Sequence, residues 1–526
     1  MLDLSIPFTN LVTAVAFIAL VMGYKYFIWR EKAGAKADRE TRCPWPKLPG
    51  SLPIIGNLIP GGLSNFTESV EKWAAEYGAE SGMYEFSFLG RRMVVLCNEE
   101  KISLLESYRP YDVIRRARIS DVMKSVGFDG LFTAEGDVWR KDRRLFGPAF
   151  NRKHIRDYLS KVKLVASRLV QKWGEKMDTD GVVSINNDVL SCMMDSISLM
   201  AFTFDMNSLS RKSKLESDLK SLTRICMLRT IFPYWKIPVI GPFLDSGSWK
   251  RNRVTQLLRN IIQDHELAAS KLFERRTKSV LGKVLEERKK EYSAPKNKDR
   301  VIGNLFTLFS AGSLTANDAI CSCLYQIAVD RTGLQHELAS EVLALPKLED
   351  KAELDDFLKG LPRTRSFMYE VLRLVGPTPL LILENKKTIE IDGTQILPQT
   401  AFAVLNRYAS TIESAKGVPR GVKNLPPNQF CARRWLITGD NKDERNEKKL
   451  SVITPSLKNG FRAFGSGSRV CPGRAVAEVE ILVILAFILR KYNIGLEEGH
   501  RPVKFVTELT QTLDADIRLV LKQRLI

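Results

Sequence analysis

At 526 residues the chain is long enough for several ordinary domains or one large one, and its 44% hydrophobic and 27% charged residues argue against global disorder. Lysine and arginine outnumber aspartate and glutamate by 80 to 60, a net +20 that suits an acidic protein partner, an anionic membrane or nucleic acid. The eight scattered cysteines and four histidines show no paired spacing, which disfavours a disulfide framework and histidine-based zinc chemistry.

From Pro7 to Tyr24 the chain is almost wholly apolar, and Phe27, Ile28 and Trp29 extend the stretch past Lys25, a length that can span a bilayer. Asp3 precedes it, whereas Lys25, Arg30, Lys32, Lys36, Arg39 and Arg42 follow, the reverse of a cleaved secretory signal. Residues 1–29 therefore read as a single-pass transmembrane anchor with a lumenal or exterior N-terminus and a cytosolic remainder. Residues 30–57 are a basic, proline-rich linker. Within it Pro44, Pro46, Pro49 and Pro53 stiffen the chain and set the angle of the following body, residues 58–526, to the membrane.

Along that body the period of the apolar residues predicts helices over residues 155–176, 214–225, 254–271 and 301–329. Strand signals are fewer, at 82–96 around a Gly-Arg-Arg turn and at 388–396 around Asp392-Gly393. The fold class is mainly α with minor β, an α+β body. The charged stretches 286–300 and 439–449 read as exposed connections. Residues 227–244, rich in large apolar side chains without a clear period, fit either core packing or a segment that dips into a membrane. Cys321 and Cys323, one residue apart in a helical run, point to different faces as core thiols.

The segment Phe464-Gly465-Ser466-Gly467-Ser468-Arg469-Val470-Cys471-Pro472-Gly473 runs straight into an apolar helix over 474–490. Gly465 and Gly467 permit a tight turn, and Pro472 and Gly473 open the helix with backbone amides directed at the sulfur. A helix N-terminus favours an anionic thiolate, so Cys471 is the candidate metal ligand. Arg469 can reach an anionic group near that metal, and Phe464 supplies an apolar wall against water. This segment resembles the cysteine-ligand loop of the cytochrome P450 family, whose Phe, Gly, Arg, Cys and Gly positions are matched by Phe464, Gly467, Arg469, Cys471 and Gly473.

Other segments resemble the same family in the same order. Trp139-Arg140-Lys141-Asp142-Arg143 is similar to the helix that meets a haem propionate; Trp139 and Arg143, four apart, share a face, while Arg140, Lys141 and Arg144 point away from it. Ala311-Gly312-Ser313-Leu314-Thr315 resembles the oxygen-activation segment, in which Gly312 permits close approach over the haem and Thr315 serves the oxygen or its protons. Leu314 departs from the family, which has an acid there; Asp318, at i+3 from Thr315, is the candidate substitute, with Ser313 as another. Glu370-Val371-Leu372-Arg373 and Phe430-Cys431-Ala432-Arg433-Arg434-Trp435, with Ala432 where proline is usual, resemble the two halves of a structural lock of Glu370, Arg373 and Arg434.

The resemblance implies a cytochrome P450 fold, one large helical domain over residues 58–526 that encloses haem b between the 301–329 helix and the Cys471 loop. It implies a monooxygenase that uses O2 and NADPH electrons, delivered by a flavoprotein reductase docked on the basic face of Arg140, Lys141 and Arg144, on a lipophilic substrate. Fatty acids, sterols, terpenoids and xenobiotics fit a membrane-attached enzyme of the endoplasmic reticulum; nucleic acid is not an expected partner. Leu314 leaves room for a haem-thiolate isomerase or dehydratase that needs no external electrons, and a non-catalytic haem-binding protein is a third reading. Pocket residues are expected within 108–128, 225–244, 306–315, 380–382 and 509–512.

Overall fold

The computed structural model describes residues 44–524, apart from residues 54, 178–180, 212–213, 232–233, 237–245, 268–278, 288–294, 347–353, 413–424, 443–447 and 509. The anchor read over residues 1–29, the first part of the linker, and parts of the expected pocket at 232–233, 237–244 and 509 lie outside the described residues. Among those that are described, no helix is long and apolar enough to cross a membrane. The body is mixed but helix-rich, with small sheets.

A five-stranded sheet has the order β1 (Met83–Phe88), β2 (Arg91–Leu96), β8 (Ala401–Leu405), β5 (Leu380–Asn385) and β3 (Val113–Arg115). Its neighbours are antiparallel except for the parallel pair β2 and β8. Alternation of side chains decides its packing: Val94, Leu96, Phe402 and Val404 enter one apolar cluster, and Met93, Val95, Ala401, Ala403 and Leu405 enter another on the opposite face. The hairpin β6 (Ile389–Ile391) and β7 (Thr394–Ile396) turns at Asp392 and Gly393, both in the left-handed region. Smaller sheets follow: β4 (Val182–Ser184) with β11 (Tyr492–Leu496) and β14 (Arg518–Gln523), β9 (Leu436–Lys442) with β10 (Lys448–Val452), and β12 (Phe505–Thr507) with β13 (Gln511–Leu513).

The helices that position the site are α1 (Glu99–Ser107), α2 (Gly136–Phe146), α3 (Arg152–Met177), α4 (Ile185–Phe202), α5 (Lys214–Ile231), α6 (Pro295–Val329), α7 (Pro362–Val375), α8 (Asn406–Ile412) and α9 (Arg474–Lys491). α6 lies along α4, and α9 packs against both α3 and α6. α9 is buried on nearly all sides, as a helix apolar all round must be. α2 is the opposite: Trp139, Asp142 and Phe146 are buried, while Val138, Arg140, Lys141 and Arg144 face solvent.

Two segments read as exposed connections have more structure than their charge indicates. α6 begins at Pro295, inside the 286–300 stretch, and Arg300 forms a two-pronged ion pair with the buried carboxylate of Asp142, 2.9 Å from Nε to Oδ1. At the described ends of 439–449, β9 and β10 pair with each other, with Leu436 opposite Val452 and Thr438 opposite Leu450. Backbone pairing is indifferent to side-chain charge on the solvent face, so composition alone hides such a pairing.

Candidate functional site

The Cys471 loop is closed by its own backbone. The Cys471 amide donates to the Phe464 carbonyl at 3.0 Å, and Gly465 and Gly467 sit at φ 68° and 61°, angles a side chain would strain. The amides of Gly473 and Arg474, at the open N-terminus of α9, are directed at the Cys471 sulfur and pull its pKa down, as does the Arg143 guanidinium; desolvation outweighs them and leaves the thiol raised. Yet solvent reaches this same side chain. The groups around the thiol dehydrate it, while its surface stays within reach of a ligand. Phe464 packs against Phe461, and the Arg474 guanidinium lies 5.3 Å from the Phe464 ring centre, which keeps one flank of the loop apolar.

Guanidinium groups gather in the same region. Burial lowers the pKa of Arg115 to about 9 and of Arg469 to about 10, and lowers those of Arg109 and Arg143; each of Arg115 and Arg469 is depressed further by Arg109. Glu135 answers this charge: it pairs with Arg469, accepts from the Arg115 amide at 2.9 Å, and lies 3.9 Å from Arg109. The Arg469 guanidinium also stands 4.6 Å from the Trp139 ring centre. Nε and Nη2 of Arg109 and Nε of Arg469 are buried without a hydrogen-bond partner among the described residues. Glu135 and, beside Arg109, Glu106 are thus set among four guanidiniums that keep three orphaned donors, and such a cradle calls for a buried dianion. A haem b group carries two propionates and an iron with affinity for a thiolate, so the residues present fit it. The sequence reading placed Arg109 and Arg115 only within the expected pocket range 108–128 and gave Glu135 no role, because none of them sits in a local repeat; the one trace of the cradle is a string of basic residues, Arg109, Arg115, Arg116 and Arg118, ahead of the Trp139 helix.

Leu308, Ala311, Gly312, Leu314 and Thr315 are partly exposed along the middle of α6, between fully buried neighbours such as Phe309, Ser310 and Ser313. The Thr315 hydroxyl donates to the Ala311 carbonyl at 2.7 Å, and the buried Ser313 hydroxyl donates to Phe309 at 2.8 Å. Gly312 lies against α4. A Cβ placed there would meet Ile197 Cδ1 at 3.0 Å, so its missing side chain serves the approach of α4 to α6. Asp318 accepts hydroxyl hydrogen bonds from Thr510 at 3.0 Å and Thr512 at 3.2 Å, and one from the Asn317 amide at 3.2 Å. Desolvation pushes its pKa up to about 7 in spite of those donors.

Glu370, Arg373 and Arg434 meet in the interior. Arg373 grips both Glu370 oxygens at 2.8 and 2.9 Å, and Arg434 Nε donates to Oε1 at 2.9 Å. The Cys431 amide adds a fourth donor to Glu370 at 3.0 Å, while Arg373 Nη1 donates to the Ser410 and Pro427 carbonyls and Arg434 Nη2 to those of Pro426 and Gln429. The segment leading to the cysteine loop is thereby tied to α7.

A helix-rich body, a cysteine-bearing loop at a helix N-terminus and a cationic cradle beside it are the features expected of a haem-thiolate protein. The cytochrome P450 family model matches residues 46–515, and the chain belongs to that family. Over 470 residues it is 25% identical to the self-sufficient cytochrome P450 monooxygenase CYP505E3 of Phanerodontia chrysosporium, covering 88% of this chain and 41% of that protein. Cytochrome P450 97B2, chloroplastic, of Glycine max is 24% identical over 506 residues, 88% of this chain and 84% of the relative. The cytochrome P450 monooxygenase claO of Ampulloclitocybe clavipes is 23% identical over 450 residues, 80% of each chain. The chain spans about two fifths of the length of the self-sufficient relatives.

Proposed function

We propose that the chain is a monooxygenase that inserts one oxygen atom of O2 into a lipophilic small molecule, with electrons from NADPH passed on by a flavoprotein reductase. The observation that carries this reading is Cys471: a solvent-reached cysteine at a helix N-terminus, near a nest of underused guanidiniums. Bound haem b supplies the activation of O2 and the oxidising power, and thiolate ligation favours O–O cleavage. The chain's own residues do the rest. Cys471 Sγ would hold the iron, its charge eased by the Gly473 and Arg474 amides and by Arg143. Arg109, Arg115, Arg143 and Arg469, with Trp139, would hold the propionates, and Phe464 gives one flank of the loop an apolar wall. Thr315 Oγ1 keeps its lone pairs available while its proton is held by Ala311, and Asp318, one turn on and titrating near neutrality, is the proton source that Leu314 cannot be.

The apolar run and trailing cations of residues 1–42 support attachment to the endoplasmic reticulum membrane with a cytosolic body, which favours fatty acids, sterols, terpenoids or xenobiotics as substrates. Exposed Arg140, Lys141 and Arg144 support a reductase with an acidic face. Leu314 also favours a second reading, a haem-thiolate isomerase or dehydratase; turnover without NADPH or reductase would select it. The first test is the reduced carbon-monoxide difference spectrum of the purified chain. Wild type is expected to give the thiolate-type band and Cys471→Ala to lose it, and an unchanged spectrum in the variant sinks the proposal. Hydrogen peroxide leak during turnover tests Asp318→Asn, where unchanged coupling would remove that residue from the proton route.

A further inference from the structure

A second buried ionic network reaches the Cys471 loop and belongs to none of the motifs above. Arg462, two residues before Phe464, is 1% exposed. Its Nη1 donates to Glu99 at 2.5 Å, its Nη2 to Glu106 and to Ser466 Oγ at 2.8 Å each, and its Nε to Asn406 at 3.2 Å. Ser466 Oγ donates in turn to Glu106, and the Arg462 amide donates to Ser410 Oγ at 3.2 Å. One guanidinium with every nitrogen engaged therefore joins α1, α8 and the loop.

The network continues beyond Glu106. Burial raises the Glu106 pKa, opposed by Arg462 and then Arg109, and Glu106 in return steadies the buried Arg109. Arg109 faces Glu135, and Glu135 pairs with Arg469. The alternating series Arg462, Glu106, Arg109, Glu135, Arg469 thus leaves the loop at one end and returns to it at the other. The segment it spans contains Gly465 and Gly467, which lend the loop no side-chain packing and leave its backbone entropically costly to fix. Ser468 Oγ adds a long contact to the Arg109 carbonyl, 3.5 Å, on the same side.

We propose that this brace, with Glu106 and Arg462 at its centre, positions the cysteine loop from the α1 side as the Glu370 lock does from α7, and so keeps Cys471 at the depth where it serves as a thiolate ligand. The inference rests on the haem-thiolate reading. Glu106 and Arg462 touch neither substrate nor sulfur; they are positioning residues acting through Ser466 and the loop backbone. A brace of this kind is worth building only where small displacements of one atom matter, as they do for a ligating sulfur.

The test compares wild type with Glu106→Gln, Glu106→Asp and Ser466→Ala in the haem-loaded full chain. Amide hydrogen exchange over residues 461–471, where the Gly465, Val470 and Cys471 amides are held by loop carbonyls, is read beside the carbon-monoxide spectrum. Glu106→Gln and Ser466→Ala are expected to speed exchange in that window about tenfold, with α9 unchanged, and to shift part of the thiolate-type band to the thiol type. Glu106→Asp, which keeps the charge, is expected to restore most of the thiolate-type band. Ser466→Ala removes one hydroxyl, so it carries the test if Glu106→Gln does not fold. Exchange and spectrum equal to wild type in Ser466→Ala, and in Glu106→Gln if that variant folds, overturn the inference. A wild-type chain without the thiolate-type band overturns the haem-thiolate reading instead, and the exchange comparison still decides whether the brace holds the loop.

Discussion

Asp318 and Glu480 are carboxyl groups buried with too few donors to hold a negative charge cheaply. Asp318 has two threonine hydroxyls and an asparagine amide; Glu480, inside α9, has the Ser196 hydroxyl at 2.7 Å. Desolvation raises both to about 7. In the unfolded chain they titrate near ordinary carboxylate values, so between about pH 4 and pH 7 the folded state binds protons that the unfolded state has released. Stability from these groups is full below the unfolded pKa and lost as pH rises through 7. A tenfold difference in proton affinity between the two states is worth about 1.4 kcal/mol, so each group accounts for a few kcal/mol. Asp318→Asn should therefore lose less stability than wild type between about pH 5 and pH 8 in denaturant melts, and Asp318→Asn with Glu480→Gln less still. Parallel pH profiles for wild type and both variants would show that neither group carries its proton in the fold. The sequence made Asp318 visible through its spacing from Thr315. Its partners Thr510 and Thr512 lie 192 and 194 residues away, beyond any local pattern, and were legible only as part of the expected pocket range 509–512, not as its partners.

Helix α2 shows how far an element's own pattern reaches. Its period places Trp139 and Arg143 together and turns Arg140, Lys141 and Arg144 outward, and the structure gives these residues those faces. Asp142 falls on the inward side with no local explanation; the explanation is Arg300, 158 residues on. The pair staples α2 to the first turns of α6, which is why a stretch that reads as a charged connection is helical. Its energetics are lopsided. The Asp142 side chain is 5% exposed and that of Arg300 32%, so only the carboxylate is stranded when its partner goes. Arg300→Met should cost about 1–3 kcal/mol, the range for a buried group left unsatisfied, rather than the larger penalty of a fully buried pair. Asp142→Asn should cost less, because the freed guanidinium reaches water. Urea midpoints in the reverse order would refute the staple. The same contrast separates what could be read at this scale from what could not: the Glu370 and Arg373 spacing and the cysteine loop are local chemistry, whereas Glu99, Glu106 and Arg462 join across 356 residues or more and are written only in the fold.

At the scale of the whole molecule, the chain carries a net charge of +20, and its exposed basic helix α2 lies next to the cationic cradle. Screening decides what that charge can do. At about 0.15 M ionic strength the Debye length is about 8 Å, so distant surface cations contribute little to a docked complex, and a local cluster such as Arg140, Lys141 and Arg144 dominates encounter with an acidic partner. On the proposed reading, replacing Arg140 and Arg144 with glutamate should slow the bimolecular step of reduction by a flavoprotein reductase about tenfold or more at low salt. The gap between variant and wild type should narrow as salt rises to about 0.5 M, because the attraction removed is one that salt already screens. Neither residue contributes to the cradle, so the carbon-monoxide spectrum after chemical reduction should match wild type. A rate deficit that persists unchanged at high salt would mean that the substitutions damage the site through the helix, and equal rates at all salt concentrations would place the electron donor on another face.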